Sequence, residues 1–362
     1  MKNLNNFRSL FLAASLAFSA FTFTSCNDDN DGPSGAYAED GVFVVNEGNF
    51  QQSNGSISFY NNNTNQIQQG IFSKENEGRI LGDVVQDLTI SSDRAFIVVN
   101  NSNKVEVVNA NTFQSLGTVE GVALPRYFTV LNNDKGYVTE WVSFSSPGRV
   151  AVVDLNDYTV TKTIEIGAQP EDLLLVGGKL YVTNNGDNTV SVINTATDAV
   201  EATITVPDAP TDLVLDRNNN VWVLSAGKVV YTPDWSAIDY DQTTAGALSL
   251  INPSTNTVQA SYTFDSNQSQ PGNLAINGSG DKLYFTYNGK TFVQDISASS
   301  LTNAVFLDRS FYGLDVDPET GYIYGGDAGG FSGNGTVYVY RPDGTQVKTF
   351  TAGIAPNGFV FN

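Results

Sequence analysis

No histidine occurs anywhere in the 362 residues, and cysteine occurs once. The missing imidazole removes Ser-His-Asp and Cys-His catalysis, and with it the usual ligand of transition metals. A single cysteine rules out an internal disulfide. Basic residues are scarce, 18 against 38 acidic ones, for a formal net charge of −20. A chain this acidic repels nucleic-acid phosphates and anionic lipid surfaces, so no nucleic acid is expected among its partners. Beyond the N-terminal segment, no window sustains apolar residues at i, i+3, i+4 and i+7. What is present is 41% apolar residues, enough for a sizeable core, with 11% aromatics and 33 glycines. That balance predicts an all-β protein rich in turns.

Lys2 and Arg8 flank the apolar segment "SLFLAASLAFSAFTF", which is too short to span a bilayer comfortably. It ends at "FTSC", with small Ser25 directly before Cys26. An ordinary signal peptide cut nearby would leave Cys26 an ordinary residue. A lipoprotein signal would be cut before Cys26, whose thiol and amine are then acylated, and several acyl chains on one residue anchor stably. The second is the expectation: residues 1–25 a lipoprotein signal peptide, 26–40 the lipidated cysteine and a flexible acidic tether, and the folded domain from 41 to 362. The tether "NDDNDGPSG", Asn27 to Gly35, offers no apolar side chain to pack. It resembles the acidic export signal of surface-exposed Bacteroidetes lipoproteins, which implies a lipid-anchored outer-membrane protein facing outward. A plain spacer in a periplasm-facing lipoprotein is the alternative.

Seven segments mark where an apolar strand begins after a Pro or polar turn: "VVQDLTI", "LPRYFTV", "QPEDLLL", "APTDLVL", "QPGNLAI", "SFYGLDV" and "APNGFVF". Their anchors are Leu88, Phe128, Leu173, Leu213, Leu274, Leu314 and Phe359, spaced 40, 45, 40, 61, 40 and 45 residues. The long interval implies an insertion of about 20 residues in the fourth repeat. Each repeat reads as an inner strand, a tight turn, a second strand, a variable loop, a third strand and a polar outer strand. Four antiparallel strands at this period are the signature of a β-propeller blade. Six repeats are complete. The chain ends in one strand, "GFVFN", and begins at "GVFVVNEGNF" with three strands that lack an inner one. Those orphans complete a seventh blade and close the ring, which removes exposed edges. Within one repeat, Leu180, Val182, Val190, Val192 and Ile193 should pack against neighbouring blades on both faces. "LYVTNN" with "TVSVIN" closely resembles the YVTN-type propeller repeat of bacterial surface-layer-like proteins; a fold resemblance alone does not assign function.

The variable second-to-third-strand loops share one face of such a ring and carry Phe50, Trp141, Phe144, Tyr231, Trp235, Tyr240 and Phe331, with Tyr127, Phe311 and Tyr312 at the anchor turns. Aromatic rings at loop tips either fold back as small satellite cores or present contact area to a ligand, and a ligand platform is the expectation for the set. Asp87, Asp172 and Asp212 recur before the inner strands; they either ring a cation or, as expected, cap a neighbouring turn through backbone N–H groups. Glu47, Glu140, Arg126, Arg149 and Lys228 could orient a polar ligand, though no spacing pairs them. "GDAGGFSGNG" is glycine-rich but lies between strands, a poor phosphate cradle. A carboxylate-pair glycosidase stays open, because only the fold would unite such a pair. The expectation is no catalytic residue, no metal and no cofactor.

The signal with its acidic tether, "VFVVNEGNFQQSNGSISFYN" and the long aromatic loop of the fourth repeat together resemble the seven-bladed cobalamin-binding surface lipoproteins of Bacteroidetes. The resemblance implies that the loop face captures a corrinoid (vitamin B12) and passes it to an outer-membrane TonB-dependent transporter. A broad ring with apolar faces and an amide-bearing rim suits a neutral aromatic surface edged by Asn, Gln and Ser. A propeller binding a glycan or protein partner, or an adhesive surface protein without a small ligand, are the alternatives.

Overall fold

The computed structural model describes residues 34–144 and 146–362. The expected signal-peptide boundary at 25, the expected lipidation at Cys26 and most of the tether lie outside the described residues. Strand-forming repeats build seven four-stranded antiparallel sheets. Blades one to six occupy residues 85–119, 125–168, 170–205, 210–263, 272–307 and 313–354. Blade seven is composite. Its inner strand, Pro356–Phe361, pairs with Gly41–Asn46, followed outward by Ser56–Asn61 and Gln66–Gln68. The closing register sets Val42 opposite Phe361, Val44 opposite Phe359 and Val45 opposite Gly358. Side chains extend the seam: Asn362 Nδ2 donates to Tyr37 O at 2.9 Å, and Gly353 N donates to the buried Asn46 Oδ1 at 2.8 Å. The described residues thus form an all-β, seven-bladed propeller closed by pairing of its first and last strands, as the sequence predicts.

Alternation within each strand accounts for the packing between blades. In blade three, Leu180, Val182 and Ile193 join Tyr137, Val150 and Val152 of blade two. Their pleat neighbours Tyr181, Val190 and Val192 join Leu213, Val221 and Val223 of blade four. Seven such apolar clusters fill the seven interfaces. All seven anchors are buried in them. Close approach also needs particular residues at the strand starts. A proline opens the inner strand of blades two, three, four and seven, where no ladder N–H is lost. The preceding blade meets that ring with glycine: a Cβ on Gly335 would lie 2.3 Å from Pro356 Cδ. G335V should therefore cost about 2–3 kcal/mol by overpacking. Chemical denaturation should show this loss, with little change for G333V, where a Cβ meets open space.

One element falls outside the repeat pattern. A one-turn helix, Ile71–Glu75, drops Ile71 and Phe72 into the cluster shared by blades seven and one. The insertion in blade four runs between Val221–Ser225 and Ala247–Asn252, where the interval between anchors placed it.

Candidate functional site

Because the inner strands run side by side around the ring, connections of one type share one face. All seven sequence-nominated aromatics lie in second-to-third-strand loops and so share a rim. Adjacent loops touch there. Asn49 Nδ2 donates to Phe331 O at 2.9 Å, and the Tyr312 ring meets Phe331 edge-on at 5.1 Å. The blade-four insertion folds as a small hairpin bridged between Tyr231 and Ile238. Asp234 Oδ1 accepts from Thr232 Oγ1 at 2.7 Å and Ser236 Oγ at 2.9 Å, bracing the turn that carries Trp235. Those bonds hold the Asp234 carboxyl below its ordinary range.

Six of the seven rings are exposed, from 43% for Tyr240 and Phe331 through Phe50 and Tyr231 to 74% for Phe144 and 77% for Trp235. Some pair with each other: Tyr231 stacks on Trp235 at 5.3 Å, and Phe144 meets Trp141 edge-on at 5.3 Å. The satellite packing and the outward display therefore coexist. Trp141 differs from the rest. It is half-buried beneath Arg126, whose guanidinium lies 4.6 Å from its ring centre. Phe311 is buried in the interface between blades five and six.

The rim surrounds the mouth of a central channel, a cavity of about 600 Å³ lined by inner-strand residues of all seven blades or their approaches. At its mouth stand Glu47, Gln86, Arg126, Tyr127, Tyr312 and Asn357. Arg126 Nε donates to Glu171 Oε2 at 2.9 Å, and the Tyr312 hydroxyl bonds the Glu47 carboxylate. Burial pushes Glu171 up against the pull of Arg126, and burial likewise raises Glu47. The other polar candidates divide. Glu140 and Arg149 form a two-point ion pair at 3.0 and 2.8 Å that clamps the base of the Trp141 loop. Lys228 is exposed on the rim.

Deeper in the channel, Asp87, Asp172 and Asp212 face inward, joined by Asp315. Each accepts the backbone N–H of the next blade's anchor. Phe128 N lies 3.0 Å from Asp87, Leu213 N 2.7 Å from Asp172 and Phe359 N 2.9 Å from Asp315, and Leu274 N bonds Asp212. The expected capping role holds, but the partner is a strand of the next blade, not a turn. Among the described residues no group of three or more acidic side chains could hold a metal ion. Burial pushes Asp87 and Asp212 up to about 6 and Asp315 to about 7, and burial with the Asp212 charge raises Asp172 well above its ordinary value.

Sequence reasoning named Arg126 and Glu47 without placing them, and missed Glu171, Asp315 and Asn357. The only signal for Glu171 was its position beside Asp172, one pleat from the channel wall.

Ring, channel and a single loop-bearing rim define a seven-bladed β-propeller with its variable surface on one face. The chain belongs to the family described as "Domain of unknown function (DUF5074)", which matches residues 40–362. No curated protein matches it. Among solved structures it is similar to a quinonprotein alcohol dehydrogenase-like protein from Bacteroides thetaiotaomicron, at 16% identity over 89% of this chain and 78% of that one, TM-score 0.66. It is also similar to the periplasmic gluconolactonase of Pseudomonas aeruginosa, at 12% identity over 89% and 99%, TM-score 0.65. A third is the hydrazine synthase of Kuenenia stuttgartiensis, at 17% identity over 78% and 92%, TM-score 0.60. At such identities the likeness shows the fold.

Proposed function

We propose that this protein is a surface capture module, not an enzyme, whose loop rim takes up a corrinoid and passes it to an outer-membrane TonB-dependent transporter. In this reading Cys26 carries the lipid anchor and the ring faces outward from the cell. The observation that carries it is the display of six exposed aromatic rings on one face, around a channel mouth with few net charges of its own. Tyr and Trp give wide contact at low cost in side-chain entropy, which suits a broad, flat, uncharged ligand. The braced Trp235 hairpin and the clamped base of the Trp141 loop are already ordered, so binding loses less freedom on closing around a ligand. The absence of histidine supports binding over catalysis. The stacked Tyr231–Trp235 pair also suits a sugar ring, which makes a glycan the second reading.

Titration with cyanocobalamin tests the first. A shift of the corrin absorption bands at a 1:1 ratio is expected, with Trp235→Ala and Phe144→Ala each weakening binding about tenfold, or ~1.4 kcal/mol. Unchanged spectra at about 100 μM protein, where even weak sites fill, would overturn the corrinoid assignment.

A further inference from the structure

The fold fixes the Arg126 guanidinium at the channel mouth without satisfying it. Its side chain is 17% exposed, its Nε is committed to Glu171, and its plane lies over Trp141. Its two terminal nitrogens, four N–H donors, have no hydrogen-bond acceptor among the described residues. In the same cavity Asn357 Oδ1 is enclosed and has no donor, while its Nδ2 is held by Gln86 O at 3.1 Å. Gln86 Nε2 in turn donates to the Tyr127 hydroxyl at 3.4 Å. Arg126 lines the cavity with these donors free, and Asn357 and Glu47 line it too, so an occupant can accept from Arg126 and donate to Asn357 or Glu47.

Charge selects among occupants. Glu171 balances Arg126, Glu47 stands near it, and four carboxyls line the channel below. An anion meets those carboxylates, and a cation meets the guanidinium. We propose that Arg126, Asn357 and Glu47 form a receptor for a neutral primary carboxamide. The amide oxygen has two lone pairs for the guanidinium fork, and the amide nitrogen has two hydrogens for Asn357 Oδ1 and the Glu47 carboxylate. This deepens the capture reading by naming the polar contact. It rests on that reading for the whole ligand, a corrinoid with its amide-bearing rim, but not for the chemistry of the contact.

Three probes of nearly one shape separate the possibilities: nicotinamide, nicotinate and 3-(aminomethyl)pyridine, followed by ligand-observed NMR on the purified protein at pH 7. Nicotinamide should bind about tenfold more tightly than either charged analogue. Arg126→Lys keeps a cation opposite Glu171 but loses the fork, and it should remove that preference while the thermal melt stays cooperative. Asn357→Leu, which removes the acceptor, checks the second contact and should weaken nicotinamide binding. Equal binding of the three probes, tighter nicotinate, or unchanged nicotinamide binding in Arg126→Lys overturns the receptor. Nicotinamide selectivity without cyanocobalamin binding supports it and overturns only the corrinoid assignment.

Discussion

Deleting Pro356–Asn362 should leave a chain with no cooperative unfolding transition. That segment is the inner strand of blade seven and pairs along Gly41–Asn46. Without it Val42, Phe43, Val44 and Val45, all buried, lose their neighbour on one side. Phe359, Val360 and Phe361 leave the clusters on either side of blade seven. Full burial of such a side chain is worth about 1.5–3 kcal/mol, and the opened edge adds the loss of its ladder hydrogen bonds. The sum reaches the whole net stability of a typical domain, about 5–15 kcal/mol. Circular dichroism melts and hydrogen exchange would record the change. Phe359→Ala alone should cost about 3–5 kcal/mol and keep the fold. Moving the strand to a position before Gly41 through a short linker should restore the melt, because the sheet needs the strand and not its place in the chain. A truncated protein that melts like wild type would remove closure from the account of stability.

Stability should fall as pH rises from about 5 to 7.5, the reverse of ordinary acid sensitivity. Asp87, Asp212 and Asp315 titrate near 6, 6 and 7 in the folded ring, against 3.8 for a free aspartate. Asp172 moves the same way. Between the unfolded and folded values the folded state holds more protons. The stability these groups contribute is therefore complete below about pH 4 and lost as pH climbs through 6 and 7. Other carboxylates act oppositely. Glu106 is held below its ordinary value, since Lys104, Ser115 and Arg79 outweigh its burial, and Asp281 is lowered by Asn277 and Ser279. Their contribution fades in strong acid, so the melting temperature should peak near pH 4. Asp212→Asn with Asp315→Asn keeps an oxygen for Leu274 N and Phe359 N but removes two charges. The pair should gain about 1–2 kcal/mol at pH 7.5, a figure reduced for screening by channel water, and should flatten the slope. A melting temperature that rises steadily from pH 5 to 7.5 would refute this proton balance.

The ring was legible in the sequence because a propeller repeats its own grammar. "DLLLV", "LYVTNN" and "TVSVIN" recur with their turns, and "GFVFN" has no partner except the incomplete first sheet. The two-faced packing of Leu180 and Val190 followed from pleat alternation alone. The helix at Ile71–Glu75 was not legible: five residues show no period, and tertiary packing of Ile71 and Phe72 makes it. The aromatic rim was legible because large rings interrupt polar loops. Its geometry was not. Trp141 shares a loop with Phe144, yet one lies under Arg126 and the other faces water. The channel mouth unites Glu47, Arg126, Tyr312 and Asn357, drawn from three different blades or the connections leading to them. No local pattern marks such a set, because each member looks like an ordinary polar or aromatic residue beside a strand.

The composite blade also dictates a timetable. Residues 41–46 emerge early in synthesis, but the strand that covers them is the last of the ring to be made. Six sheets can pair locally in turn, whereas the circle stays open until that last strand has been made. Throughout that interval the chain remains threadable, as the proposed export to the cell surface would require.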